Sequence, residues 1–278
     1  MTGEEALDLV SGRVPVAAIP VDWERTGYTS ESFDAWARSP HFSTWEGDRP
    51  DEEEVRVMLD FLGLKRGDSV LDLACGWGRH AEILAGDYGM RVTGVDLVPG
   101  LIDTASKRAR EKNLQIDYRA GNARDLDVED AFNAIVVAFN SFSLFSPADA
   151  PRILLGIGRA LKPGGMLFLD LDNKEFCLRA GYPGETWERW EHGWKLQEVH
   201  FHPESSVEIC RDIYVHEMEG TTDEFVTFKR LYSLPEVREV LSRASFVPGM
   251  AWGDWDGSPV RESNPKIILA AAKAAGAD

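Results

Sequence analysis

Cysteine is scarce in this 278-residue chain: Cys75, Cys177 and Cys210 stand far apart, in no Cys-x-x-Cys or Cys/His ligand spacing. A disulfide scaffold and a zinc site are therefore excluded, and the three thiols read as reduced. Positive charge is short as well, with 30 Lys and Arg against 47 Asp and Glu and a formal net charge of −17. No segment gathers basic residues, so a phosphate backbone would be repelled and nucleic acid is excluded as a partner. No apolar run approaches the roughly 20 residues of a membrane span, and residues 1–8 are acidic where a signal peptide would be basic and then apolar. The expectation is a cytoplasmic protein with no membrane partner. Repeats, low-complexity tracts and metal-ligand clusters are also missing, so no metal is expected, and nothing marks an oligomeric state.

What is present is an alternation of strand and helix patterns. Residues 1–50 form a leading cap segment, irregular but rich in aromatics such as Trp23, Tyr28, Trp36 and Trp45, which argues against a disordered tail. Asp51 is placed to cap a helix with Val55, Met58, Leu59 and Leu62 at helical spacing. Apolar strands follow at 69–74, 91–95, 115–118, 132–138 and 166–171, with helical patterns at 101–112 and 153–161. This order predicts an α/β, doubly wound, Rossmann-like sheet of seven mostly parallel strands. After Asn173 the pattern changes to polar–apolar alternation at 194–202, 207–217 and 224–232, as in antiparallel strands. The expected organisation is thus a core over 51–186, an antiparallel lid insertion over 187–232, and the end of the core sheet over 233–278.

The chemistry concentrates in Val70-Leu71-Asp72-Leu73-Ala74-Cys75-Gly76-Trp77-Gly78-Arg79-His80. Gly76 and Gly78 allow a tight turn at a strand end and a close approach to a ligand, and the following helix offers unpaired N–H groups. About twenty residues on, Asp96 ends the second strand, where a carboxylate accepts from both hydroxyls of a ribose. Gly76-Trp77-Gly78-Arg79-His80-Ala81 also satisfies a dinucleotide pattern, so an NAD-dependent oxidoreductase and a non-catalytic nucleotide-binding protein stay open. Asp72 separates these readings. A pyrophosphate at the loop would meet like charge, whereas a ligand with a cationic end is favoured there.

Several spaced motifs over residues 51–173 resemble the class I S-adenosylmethionine-dependent methyltransferases. Asp72 to Gly78 is similar to the family's D-x-x-x-G-x-G motif, and Gly94-Val95-Asp96 to its ribose-binding acid. Gly121-Asn122-Ala123 resembles the Gly-Asp-Ala adenine loop, with Asn in place of Asp, and Leu161-Lys162-Pro163-Gly164-Gly165 resembles the turn before the fifth strand. The resemblance implies S-adenosylmethionine as cofactor, held by Asp72, Ala74, Gly76, Gly78, Asp96, Leu97, Asn122, Ala123 and Phe139.

In such sheets ligands bind beyond the carboxyl ends of the strands. Asn140, Asp172 and Asn173 occupy those ends and are expected to position an acceptor, since no triad or isolated histidine dominates them. Phe139 to Phe145 resembles a stretch of methyltransferases that modify antibiotics and sugars, and Arg230 to Glu236 a segment that follows the lid of small-molecule N-methyltransferases. The resemblance implies a small-molecule acceptor, with N-methylation slightly favoured over O-methylation. Tyr28, Trp45, His200, Arg230 and Tyr232 are the candidate acceptor contacts.

Overall fold

A computed structural model describes residues 3–23, 51–181, 184–190 and 192–274. After α1 (Gly3–Val10), a 3-10 turn at Val16–Ala18 and α2 (Asp51–Leu62) come β1 (Ser69–Leu73), α3 (Arg79–Gly86), β2 (Arg91–Asp96), α4 (Pro99–Glu111), β3 (Ile116–Ala120), β4 (Phe132–Val137), α5 (Ala150–Ala160) and β5 (Leu161–Asp172). Then follow α6 (Lys174–Ala180), β6 (Glu185–Trp190), β7 (Gly193–His202), β8 (Val207–His216), β9 (Thr221–Arg230), α7 (Leu234–Arg243), β10 (Phe246–Trp252) and β11 (Lys266–Lys273).

Seven strands form one sheet in the order β10-β11-β5-β4-β1-β2-β3. β1 to β5 run parallel, while β11 pairs antiparallel with both β5 and β10. Val70, Leu71 and Leu73 of β1 are each almost fully buried, because helices cover both faces of a parallel sheet. One cluster holds Leu71, Ile135, Leu169 and Ile157, and a second on the other face holds Val70, Val136, Phe168 and Met58. The strand order reverses between β1 and β4, which is where an open α/β sheet leaves a crevice.

β6 to β9 make a separate four-stranded antiparallel sheet. The alternation in the sequence marks three of its strands. The fourth, β6, is an edge strand with little buried surface, so the period-two signal that burial imposes is weak there. The described part of the leading segment docks on this lid sheet: Ala6 and Val10 pack against Leu196, Ile213 and Val215. Arg13 bonds Glu224 at 2.9 Å, and Arg211 donates to the Val14 carbonyl at 2.7 Å. Two local departures have clear causes. The Lys162-Pro163-Gly164-Gly165 turn falls inside β5, where the register with β4 shifts, and α6 starts at once after β5 because the Asn173 side chain caps it by accepting from Glu175 N–H. Among the described residues no helix is long and apolar enough to cross a membrane.

Candidate active site

At the end of β1 the chain turns through Ala74, Gly76 and Gly78, all at positive φ (62°, 56° and 83°). The turn is tied to β2: Ala74 and Cys75 N–H donate to the Val95 carbonyl, and Gly76 N–H donates to Asp96 Oδ2 at 2.8 Å. Asp96 Oδ1 accepts from Val98 N–H at 3.0 Å. Burial raises the Asp96 pKa, and the N–H groups of Val98 and Gly76 oppose the shift. The Leu97 N–H bonds the same carboxylate, and a carboxylate has about four acceptor sites, so capacity for a ligand remains. Ala74, Asp96, Leu97, Asn122 and Ala123 line one cleft with Trp23. The space between them is about 30 Å³. Among the described residues Trp23 is the wall residue brought by the leading segment, and its ring meets Phe228 of β9 edge-on at 5.6 Å.

The two loop glycines are needed for different reasons. Among the described residues a Cβ on Gly76 would meet nothing within 4 Å, whereas one on Gly78 would lie 2.1 Å from the Tyr118 hydroxyl. Gly78→Ala is accordingly expected to lose about 2–5 kcal/mol of stability, as overpacking of about 1–3 kcal/mol is added to about 1–2 kcal/mol for a strained φ. Gly76→Ala should lose only the conformational part, about 1–2 kcal/mol, while obstructing the loop. Thermal unfolding of the two variants measures this, and equal losses would refute the assignment.

Beneath the loop lies a charged cluster. Asp72 is buried, and desolvation pushes its carboxyl up to about 6 against the attraction of His80 and Arg79. Arg79 Nη1 bonds both Asp51 and Glu54, the latter at 2.7 Å, and His80 Nε2 meets Glu54 Oε2 at 2.7 Å. Burial alone would raise the Glu54 pKa; the His80 hydrogen bond and the Arg79 charge more than reverse it. Asp51, Glu54 and His80 converge closely enough to hold a metal, but the cation between the two carboxylates is the Arg79 guanidinium.

Beyond β4 and β5 a polar network closes the crevice. Phe139 and Asn140 both take the left-handed conformation. Phe139 N–H donates to Asp170 Oδ2 at 3.0 Å, and Asn140 exchanges bonds with Asp172: its Nδ2 donates to Oδ2 at 2.7 Å, and Asp172 N–H donates to its Oδ1 at 3.0 Å. Lys266 of β11 holds Asp172 at 3.1 Å and Asp170 at 3.4 Å, and Lys229 of the lid stands 3.8 Å from Asp172.

Residues 70–165 match the methyltransferase domain family. The chain is 33% identical over 136 residues to the ubiquinone biosynthesis O-methyltransferase of Xanthomonas oryzae pv. oryzae, covering 47% of this chain and 56% of that protein. It is 25% identical over 178 residues to phosphoethanolamine N-methyltransferase 1 of Triticum aestivum, covering 63% of this chain and 34% of that protein. It spans about half or less of the length of these curated relatives. Among solved structures, S-adenosylmethionine-bound CalS10, an amino pentose methyltransferase from Micromonospora echinaspora involved in calicheamicin biosynthesis, superposes with a TM-score of 0.61 at 18% identity, over 84% of this chain and 97% of that one.

Within and around the methyltransferase domain, the remaining sequence candidates are placed as follows. The Asn173 Nδ2 donates to the carbonyls of Arg261 and Asn264, and its Oδ1 caps α6. It fastens the chain after β5, and both of its amide hydrogens are taken. Arg230 and Tyr232 stand together elsewhere. They line a cavity of about 290 Å³ with Pro147, Leu155 and Val240, outside the glycine-loop cleft. Arg230 bonds Glu236 and the carbonyls of Ser206 and Leu231, and Tyr232 is 3% exposed against Phe142. His200 pairs with Ile209, whereas Lys229 pairs with Glu208, so alternation puts His200 on the lid face opposite the lysine that reaches Asp172. Tyr28 and Trp45 lie outside the described residues. Sequence reasoning missed Trp23, Lys229 and Lys266 as site residues. Trp23 carries only an aromatic signal shared with its neighbours, and the lysines are isolated charges until β9 and β11 are placed.

The arrangement fits S-adenosylmethionine on two observations. Among the described residues nothing comes within 4 Å of a Gly76 Cβ position, and Asp72 Oδ2 is buried without a hydrogen-bond partner. Unsatisfied negative charge beside the loop suits a ligand whose amino-acid end carries an ammonium near a sulfonium.

Proposed function

We propose that this chain transfers the methyl group of S-adenosylmethionine to a nitrogen or oxygen of a small molecule, with nitrogen slightly favoured. The observation that carries the reading is the convergence of Asp96 and the glycine loop on one cleft at the β1–β4 switch point, above the buried carboxylate of Asp72. The same carboxylate disfavours a pyrophosphate, which weighs against the NAD reading. S-adenosylmethionine supplies an electrophilic methyl group on a positively charged sulfur. The chain supplies position. Asp96 and Asn122 orient the nucleoside, the glycine loop holds the amino-acid end, and Asn140 with Asp172 orients the acceptor at the strand ends. Holding two reactants at attack geometry contributes about 7–11 kcal/mol to such a reaction.

A nitrogen acceptor that binds neutral needs little base catalysis, and no histidine among the described residues is bonded to the Asn140–Asp172 network. The similarity to phosphoethanolamine N-methyltransferase 1 supports a nitrogen; the similarity to the ubiquinone biosynthesis O-methyltransferase supports an oxygen. Incubation with S-adenosylmethionine and a panel of small amines and alcohols, read by mass spectrometry, tests the proposal. The expected product is methylated acceptor with S-adenosylhomocysteine. Binding of NAD without binding of S-adenosylmethionine would overturn it. His80→Ala, His200→Ala and His202→Ala are each expected to keep turnover within about 10-fold, because loss of a general base typically costs about 10²–10⁴-fold. A single one of them abolishing turnover with both ligands still bound would defeat the positioning mechanism.

A further inference from the structure

Two buried polar atoms bracket the glycine loop, and neither has a hydrogen-bond partner among the described residues: Asp72 Oδ2 before it and Arg79 Nη2 after it. One is an acceptor carrying negative charge, the other a donor carrying positive charge. The Arg79 side chain is 9% exposed. Its Nη1 is engaged by Asp51 and Glu54, and its guanidinium carbon lies 5.0 Å from the ring centroid of Phe139 at the end of β4. Asp51 and Glu54 hold Arg79 by one nitrogen, which fixes its plane and leaves the other without an acceptor. A buried N–H left unpaired is costly, and the cost is removed when a ligand brings an acceptor.

We infer that Arg79 binds the carboxylate of the amino-acid end of S-adenosylmethionine, an assignment that rests on the methyltransferase reading above. The electrostatics define what such a residue does. Asp51, Glu54 and Asp72 outnumber Arg79, so the cluster as a whole attracts cations and is no general anion site. S-adenosylmethionine carries a net charge of about +1 near neutral pH, and the acidic cluster by itself would bind its decarboxylated form, at about +2, more tightly. The Arg79 Nη2 reverses that order by giving the carboxylate a charge-assisted hydrogen bond. Arg79 is thus the residue that selects for an intact amino-acid end, and Asp72 favours the ammonium beside it.

Titration calorimetry of the full chain with S-adenosylmethionine, decarboxylated S-adenosylmethionine and 5′-methylthioadenosine tests this. The wild type is expected to prefer S-adenosylmethionine over the decarboxylated ligand by about 10-fold or more, the size of one charge-assisted hydrogen bond. Arg79→Gln should abolish or invert that preference and leave 5′-methylthioadenosine, which has no amino-acid end, within about 3-fold of the wild type. Arg79→Lys keeps the charge and should retain part of the preference. Should the Gln variant fail to fold, the Lys variant decides, with S-adenosylmethionine weakened and 5′-methylthioadenosine unchanged as the supporting result. No preference in the wild type, or equal weakening of all three ligands in the variant that folds, would reduce Arg79 to a clamp between α2 and α3 and overturn the inference. If the wild type binds none of the three, the cofactor reading itself fails and the inference falls with it.

Discussion

Asp96→Ala is expected to weaken S-adenosylmethionine binding by about 30- to 1,000-fold, or roughly 2–4 kcal/mol. The carboxylate stands in the cleft beside Leu97, Asn122 and Ala123, where two charge-assisted bonds to a ribose diol are each worth about 1.5–3 kcal/mol. It is also a brace: Gly76 N–H and Val98 N–H both donate to it in the ligand-free chain. Removing it therefore loosens the glycine loop as well as the ribose contact. Asp96→Asn separates the two roles, since its oxygen still accepts from a backbone N–H while the charge is gone. The Asn variant should recover most of the thermal stability lost in the Ala variant and only part of the affinity. Calorimetric titration alongside thermal unfolding measures both. Wild-type affinity in a folded Asp96→Ala variant would remove Asp96 from the site.

The second large effect concerns Asp72, where stability and binding should move in opposite directions. Its carboxyl is raised from 3.8 to about 6 by burial. A group whose folded pKa is raised binds a proton more readily in the folded state, so its ionisation opposes folding as pH rises from below 4 through about 6. Above that window the opposition amounts to about 3 kcal/mol. Asp72→Asn removes it while preserving an oxygen for the Ala81 N–H, which bonds Asp72 in the wild type. The variant is thus expected to be more stable than the wild type at pH 8, with the difference shrinking as pH falls through 6 and vanishing below about 4. The same change should weaken S-adenosylmethionine about 10-fold or more at pH 8, because a buried negative charge is lost beside a cationic ligand. Wild-type affinity should fall as pH drops below about 6, where Asp72 must release a proton before it attracts a cation, and the Asn variant should lack that dependence. Denaturant unfolding at several pH values, paired with titration of the ligand, tests both halves. A variant less stable than the wild type at pH 8 would show that the burial of Asp72 is compensated.

The tie between the leading segment and the lid gives these sites a shared boundary. Arg13 and Arg211 fasten residues before Trp23 to β8 and β9, and Trp23 then lines the nucleoside cleft against Phe228. One aromatic ring therefore touches both the lid and the cofactor side.

The amino-acid sequence alone determined the parts of this protein whose signals are local. Buried parallel strands need apolar runs, so β1, β2, β4 and β5 stand out at their places. The glycine loop needs positive φ at Gly76 and Gly78, and Asp96 follows at the distance one strand–helix–strand unit imposes. The second, antiparallel sheet showed in its period-two alternation, except for edge strand β6, where exposure on both faces removes the constraint that writes the pattern. Tertiary structure decided which polar side chains remain free to act. Asn140 and Asn173 look alike in sequence, yet the first bonds Asp172 at the strand ends while the second gives both amide hydrogens to the carbonyls of Arg261 and Asn264, about ninety residues away. Arg230 and Tyr232, at and just past the end of β9, turn toward α5 and α7, and Arg79, one residue past the loop, gains its role because α2 brings Asp51 and Glu54 to one of its nitrogens only. Spacing along a strand or helix sets the face on which a side chain stands; its partners come from whatever packs against that face, and those partners decide whether it is a brace or a binding group.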